Sequence, residues 1–244
     1  MHTLYLPDFQ PGQPEGAIEG DEARHGARVK RLAPGDLVRV LNGRGLVVLG
    51  RLTEARRRLA FVVERWEETP PLSPAVEVWS ATPKGARVEE LVDALVQVGA
   101  ASWTPMACAR SVVDPRDAKL ARLERIATEA LKQAARPWAM SMREKSPFAA
   151  ALDAPAGTAL VIADASGQPC RPSGEPAVRL LIGPEGGFTP EELRAARDAG
   201  ARVCALGAHT MRIELAAPVG VALILREEQR RPRNPDPPSQ EQAP

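Results

Sequence analysis

Leu180-Leu181-Ile182-Gly183-Pro184-Glu185-Gly186-Gly187-Phe188-Thr189-Pro190-Glu191-Glu192-Leu193 is the stretch that decides how the second half of this chain is read. It opens with an apolar run of the kind that fits a strand buried on both faces, and this leads at once into a glycine-rich loop. Thr189 can cap a following helix, Pro190 suits the first helical position, and Glu192 completes a capping box. Strand, loop and helix start in direct succession are the parts of a parallel α/β sheet, whose ligands sit beyond the carboxyl ends of the strands. Gly183, Gly186 and Gly187 let the backbone approach a ligand closely or take positive φ. The pattern is neither the dinucleotide G-x-G-x-x-G nor a Walker A loop with its GK[ST] ending. By itself it is compatible with a ligand loop or with a bare strand-to-helix turn.

One strand later the arrangement recurs as Leu206-Gly207-Ala208-His209-Thr210-Met211-Arg212-Ile213-Glu214-Leu215-Ala216-Ala217. Arg212 and Glu214 fall at the expected helix start, where the helix dipole favours a carboxylate. Taken alone, Glu214 is equally a first-turn acid. Two such loops leaving one edge of a sheet point to a ligand site more strongly than either does. Working outward, strands are predicted at 76–80, 102–106, 159–163, 179–182 and 203–206. Helices are predicted at 88–98, closed by Gly99, at 118–135, ended by Arg136-Pro137, and at 190–199 and 214–228. The apolar run 219–225 in the last helix would suit a subunit interface. This alternation predicts an α/β domain over 75–228 around a mostly parallel sheet.

The first 70 residues have a different texture. Short β-rich runs at 37–40 and 46–49 flank Asn42-Gly43-Arg44-Gly45, a hairpin signal, and 59–63 supplies another. A small β-barrel or sandwich is predicted over 1–70, with the three prolines of 70–74 as a stiff connector. Residues 21–65 hold eleven basic and five acidic side chains, although the whole chain of 244 residues has a formal net charge of only +1. Such an arginine excess fits a phosphate backbone, or a solvated surface. The proline-rich end, 229–244, is predicted to be disordered.

Composition removes several classes. With 44% hydrophobic and 26% charged residues the chain is not disordered throughout. No apolar run approaches the roughly 20 residues of a bilayer span, and no leader pattern opens the sequence, so a soluble cytoplasmic protein is expected. Cys108, Cys170 and Cys204 form no CxxC pair, and His2, His25 and His209 are too few and too scattered for a familiar zinc site. No metal is expected, and Cys108 is read as buried packing.

The motif Leu181-Ile182-Gly183-Pro184-Glu185-Gly186-Gly187-Phe188, followed by Leu206-Gly207 and Arg212-x-Glu214, resembles the RsmE family of 16S ribosomal RNA uracil-N3 methyltransferases in the SPOUT superfamily. Pro83-Lys84-Gly85 and Lys132-Gln133-Ala134-Ala135-Arg136 resemble two further family elements. The basic N-terminal part resembles the family's PUA-like RNA-binding domain, with His25 and Val29-Lys30-Arg31 at its H…VLR-like positions. The resemblance implies a trefoil-knotted catalytic domain, a homodimer, S-adenosylmethionine as cofactor and small-subunit 16S rRNA as substrate. It implies a cofactor pocket formed by Gly183, Pro184, Glu185, Gly186, Gly187, Leu206, Gly207 and Met211. It places RNA contacts at Arg24, His25, Arg28, Lys30, Arg31, Lys84 and Arg136.

Uracil N3 must lose its proton before it can attack a methyl group, and the resulting anion spreads over N3, O2 and O4. Arg212 is expected to stabilise that anion and Glu214 to accept the proton or orient Arg212. The chain departs from the family pattern at His209 and Leu215, where arginine and threonine are usual. It departs again at Ala94 and Gln97, where lysine and glutamate are usual. These departures leave a second expectation, an RNA-binding ribosome-assembly protein that keeps the scaffold with reduced or lost catalysis.

Overall fold

The computed structural model describes residues 1–20, 23, 31–112 and 120–230. The N-terminal sheet has five strands, β1 (His2–Tyr5), β2 (Glu15–Ile18), β3 (Leu37–Leu41), β4 (Leu46–Ala55) and β5 (Leu59–Glu68), in the order β1-β3-β4-β5-β2. Strands β3, β4 and β5 run antiparallel, and β1 lies parallel to β3. Alternation puts Val38, Val40, Val48, Leu52, Leu59 and Phe61 into one core. The β3–β4 turn works as its sequence suggests: Gly43 and Gly45 take φ of 73° and 99°, and Asn42 Oδ1 accepts from the amides of Arg44 (2.8 Å) and Leu46 (3.1 Å). Register shifts between β4 and β5 at Leu49/Gly50 and Leu52/Glu54 curl the sheet. Its edges β1 and β2 are not paired to each other among the described residues.

The second sheet contains β6 (Ala75–Ser80), β7 (Ser102–Ala107), β8 (Ser141–Met142), β9 (Ser146–Pro147), β10 (Thr158–Pro169), β11 (Ala177–Ile182) and β12 (Arg202–Ala205). Its order is β12-β10-β11-β6-β7-β8, with β9 on β7, and every pairing is parallel. Helices α1 (Arg87–Val98), α2 (Leu120–Ala134), α3 (Phe148–Leu152), α4 (Pro190–Asp198) and α5 (Ile213–Gln229) lie between and after these strands. Both faces of the sheet are covered. Leu180 and Ile182 join one core with α1, α2 and α5, while Leu181 joins another with Ala151 of α3 and Ala196 of α4. This is why these strands read as unbroken apolar runs.

Local signals account for the helix ends. Helix α1 buries Val88, Leu91, Val92, Leu95 and Val96 and stops at Gly99, whose φ is 97°. Helix α2 ends where Ala135 takes φ of 52°, two residues before Pro137; its expected start at 118 lies outside the described residues. Within the run 219–225 of α5, Gly220, Val221 and Ile224 are buried, Val219, Leu223 and Leu225 are half-buried and Ala222 is exposed, and the helix packs on α1, β6 and β11.

Besides the strands β1 and β2, three features were not expected from the sequence. Strands β8 and β9 are two residues each, and α3 is five. Strand β10 continues to Pro169, so that Cys204 of β12 is partner to both Ala163 and Gln168 of the same strand. The hairpin at 42–45 also docks on the α/β part: Gly45 N donates to Pro137 O (2.9 Å), Ala139 N to Gly43 O (2.9 Å) and Trp138 Nε1 to Thr69 O (2.7 Å). No helix among the described residues is long and apolar enough to cross a membrane.

Candidate functional site

Parallel pairing brings the carboxyl ends of β6, β7, β11 and β12 to one edge of the sheet. From that edge leave the loops at 81–86, 108–112, 183–189 and 206–212. In the glycine-rich loop, Gly187 N donates to Pro184 O (2.8 Å), closing a tight turn that Gly187 leaves at φ of 70°. Phe188 then folds back, buried, against Phe148 with ring centroids 5.6 Å apart. A Cβ on Gly183 would lie 3.0 Å from the Phe188 ring, so this glycine serves packing inside the loop. Pro184 is buried, whereas Glu185 and Gly186 are exposed.

The capping box on α4 is present in both directions: Glu192 N donates to Thr189 Oγ1 (3.2 Å), and Thr189 N to Glu192 Oε2 (2.8 Å). Glu192 has a second task. Its Oε1 accepts from the amide of Ala109 (2.8 Å), tying the glycine loop to the loop after β7. From that neighbouring loop Arg110 Nη1 donates to Gly186 O (2.7 Å). Sequence reasoning missed Arg110, because no local pattern marks a side chain whose partner lies far along the chain.

In the 206–212 loop, Leu206 and Met211 pack against the core, while Gly207, Ala208, His209, Thr210 and Arg212 are exposed. A Cβ on Gly207 would meet Met211 Cε at 2.8 Å. Arg212 is the N-cap residue of α5, with extended backbone (φ −70°, ψ 159°), and its side chain caps nothing. Glu214 sits in the first turn as expected. Its side chain is only 13% exposed, and its Oε1 lies 3.6 Å from Nε of Arg87 at the start of α1. Among the described residues the other oxygen, Oε2, is buried without a hydrogen-bond partner. An unpaired buried acceptor of this kind costs about 1–3 kcal/mol, more when charged.

The remaining site candidates are spread out. Lys84 is exposed in the loop after β6, beside the edge. Arg31 is exposed with φ of 53°, and Arg24, His25, Arg28 and Lys30 lie outside the described residues. Arg136 is turned inward at the opposite end of the sheet: Nη1 donates to Val96 O (2.8 Å) and Nη2 to Ala100 O (2.6 Å), and burial pulls its guanidinium down to about 10. Those donors cap the carboxyl end of α1, which gives Arg136 a structural role in the fold. Burial, reinforced by Glu192, pushes the Cys108 thiol up to about 12, in keeping with a packing role. No group of three or more metal-ligating side chains occurs among the described residues.

A doubly covered parallel sheet with glycine loops at one edge, beside a curled arginine-rich sheet, defines a two-part α/β protein with a candidate ligand site at that edge. Residues 70–225 match the model of an RNA methyltransferase domain, and residues 18–64 that of an RNA methyltransferase PUA domain. The chain is 32% identical over 206 residues to a ribosomal RNA small subunit methyltransferase E of Synechocystis sp., covering 81% of this chain and 68% of that protein. It is 29% identical over 225 residues to the protein of the same name from Mycobacterium bovis, covering 85% and 84% of the two chains. Among solved structures it resembles the Neisseria gonorrhoeae ribosomal RNA small subunit methyltransferase E bound to S-adenosylmethionine, with TM-score 0.81 and 25% identity over 91% of this chain and 95% of that one. The chain belongs to the ribosomal RNA small subunit methyltransferase E family.

Proposed function

We propose that this protein methylates N3 of a uridine in 16S rRNA of the small ribosomal subunit, with S-adenosylmethionine as methyl donor. The observation that carries this reading is the pair of glycine loops at one sheet edge, with the buried, half-satisfied Glu214 beside them. The loops fit a cofactor held largely by backbone groups. A Cβ on Gly187 would meet nothing within 4 Å, and one on Gly186 only Arg110 at 3.4 and 3.6 Å, so space lies open over this turn. Residues 183–187, with Leu206, Gly207 and Met211, would hold the cofactor. When bound, S-adenosylmethionine supplies an electrophilic methyl group on its sulfonium.

The chain's own residues do the rest. Arg212 donates to a uracil carbonyl and stabilises the anion as N3 loses its proton. Glu214 accepts that proton. Residues 1–70 form the RNA-binding unit, with Arg24, His25, Arg28, Lys30 and Arg31 on the phosphate backbone and Lys84 at the catalytic edge; residues 75–228 form the methyltransferase unit. By likeness to the family, the chain is threaded through a knot here and the protein acts as a homodimer in the cytoplasm.

Titration calorimetry with S-adenosylmethionine, followed by methyl transfer to 30S subunits and nucleoside mass spectrometry, tests this. Micromolar-range binding and appearance of N3-methyluridine are expected. Gly186→Val should weaken cofactor binding at least tenfold, because protein packing tolerates the added Cβ and the loss reports on the ligand. RNA binding with no cofactor binding at millimolar concentration would instead establish the assembly-protein reading. Arg110→Ala removes the brace on the Gly186 carbonyl and should weaken cofactor binding about fivefold, corresponding to roughly 1 kcal/mol for one hydrogen bond at an exposed site. An unchanged dissociation constant would show that the loop holds its shape without Arg110.

A further inference from the structure

Arg87 is the first residue of α1, a position where the helix dipole disfavours a cation, and the preceding Ala86 offers no side-chain cap. Helix stability therefore does not explain an arginine here. Its guanidinium instead reaches across to Glu214 at the start of α5, Nε to Oε1 3.6 Å. Of the other charged groups on the elements packed against α5, Glu89, Asp93, Glu77 and Arg179 have partners elsewhere. Glu89 pairs with Arg122 (2.9 Å), Asp93 accepts from Gln97 (2.6 Å), and Glu77 of β6 pairs with Arg179 of β11 (2.9 Å). Glu90 is a first-turn acid of α1. Arg87 is thus the cation within ion-pair distance of Glu214 among the described residues.

The two oxygens of Glu214 are treated unequally: Oε1 faces a cation, while Oε2 is buried with no partner among the described residues. Burial of Oε2 and the ion pair at Oε1 together hold the carboxylate at the start of α5, with Arg87 as its partner. We propose that Arg87 is a positioning residue for methyl transfer, holding the Glu214 carboxylate beside the 206–212 loop so that it receives the N3 proton of the target uracil. The inference rests on the methyl-transfer reading above. In the step, the N3–H bond breaks, its proton passes to the Glu214 carboxylate, and its electron pair stays on N3. There the new N–C bond forms as the C–S bond of the donor breaks, its electron pair remaining on sulfur. Arg87 touches no reacting atom and acts through Glu214.

A double-mutant cycle on the full chain tests this, using Arg87→Ala, Glu214→Gln and the pair, with Arg87→Lys as the conservative variant. The assay is methyl transfer to 30S subunits, with cofactor binding and melting temperature measured on every variant. Arg87→Ala is expected to lower kcat about 10- to 100-fold, with KM for 30S subunits and the cofactor dissociation constant within about twofold of wild type. Arg87→Lys should recover most of that loss. In the Glu214→Gln background Arg87→Ala should reduce kcat by less than about twofold further, since its target is already gone. Multiplicative losses in the double variant, or a loss confined to KM for 30S subunits, would overturn the proposal and make Arg87 an RNA contact. A wild-type protein that transfers no methyl group would overturn the methyltransferase reading, and this proposal with it. An active wild type with multiplicative losses overturns this proposal alone.

Discussion

Gly167→Ala is expected to destabilise the α/β part by about 3 kcal/mol or more, enough to lower the melting temperature by on the order of 10 °C. A Cβ at this position would lie 2.6 Å from Cys204 N, Val203 C and Val203 O. All three are backbone atoms of a paired strand, so no side-chain rotation relieves the overlap. Relief requires β10 and β12 to move apart where Cys204 pairs with both Ala163 and Gln168. Because β12 feeds the 206–212 loop, the variant should also lose cofactor binding. Urea midpoints of wild type and variant, with Gly186→Ala as the permissive control, measure the effect. An unchanged midpoint would mean that the 164–168 segment does not press on β12 in solution.

Arg212→Ala is expected to lower the methyl-transfer rate about 100- to 1,000-fold, the range seen when one donor to a developing oxyanion is removed. Stability should scarcely change. Arg212 is exposed, its side chain caps nothing, and among the described residues it has no ion pair or hydrogen bond that the fold would lose. An arginine that the fold leaves unused, two residues from a buried carboxylate whose Oε2 lacks a partner among the described residues, is available to a substrate. Cofactor affinity should stay within about twofold, because the loss belongs to the transition state and not to cofactor binding. Arg212→Lys should retain part of the rate, since an ammonium keeps the charge without the planar donor fork. Single-turnover kinetics on 30S subunits read the effect directly. A rate within threefold of wild type would remove Arg212 from the reaction.

Much of the architecture was legible because its causes are local. Leu180, Leu181 and Ile182 read as a doubly buried strand, and each does find a core, on alternating faces. Thr189, Pro190 and Glu192 spelled out the start of α4, Gly99 the end of α1, and Asn42 to Gly45 the hairpin; each depends on groups within a few residues of one another. The edge strands β1 and β2 were missed because pairing across the sheet, not their own composition, makes them strands. The two-residue β8 and β9 leave no periodicity to detect.

The candidate site divides along the same line. Its glycine loops, Arg212 and Glu214 stand out in the sequence because strand, loop and helix start follow one another without interruption. By itself the sequence determined the alternation of strands and helices, the caps and turns, and the two loops at the helix starts, since hydrophobic periodicity and capping act over a few residues. Tertiary structure alone decided that Arg110 grips Gly186, that Arg87 faces Glu214, that Arg136 turns inward and that Gly167 lies against β12. These contacts join residues from about 35 to more than 100 positions apart, and only closure of the chain around a shared core brings them into range.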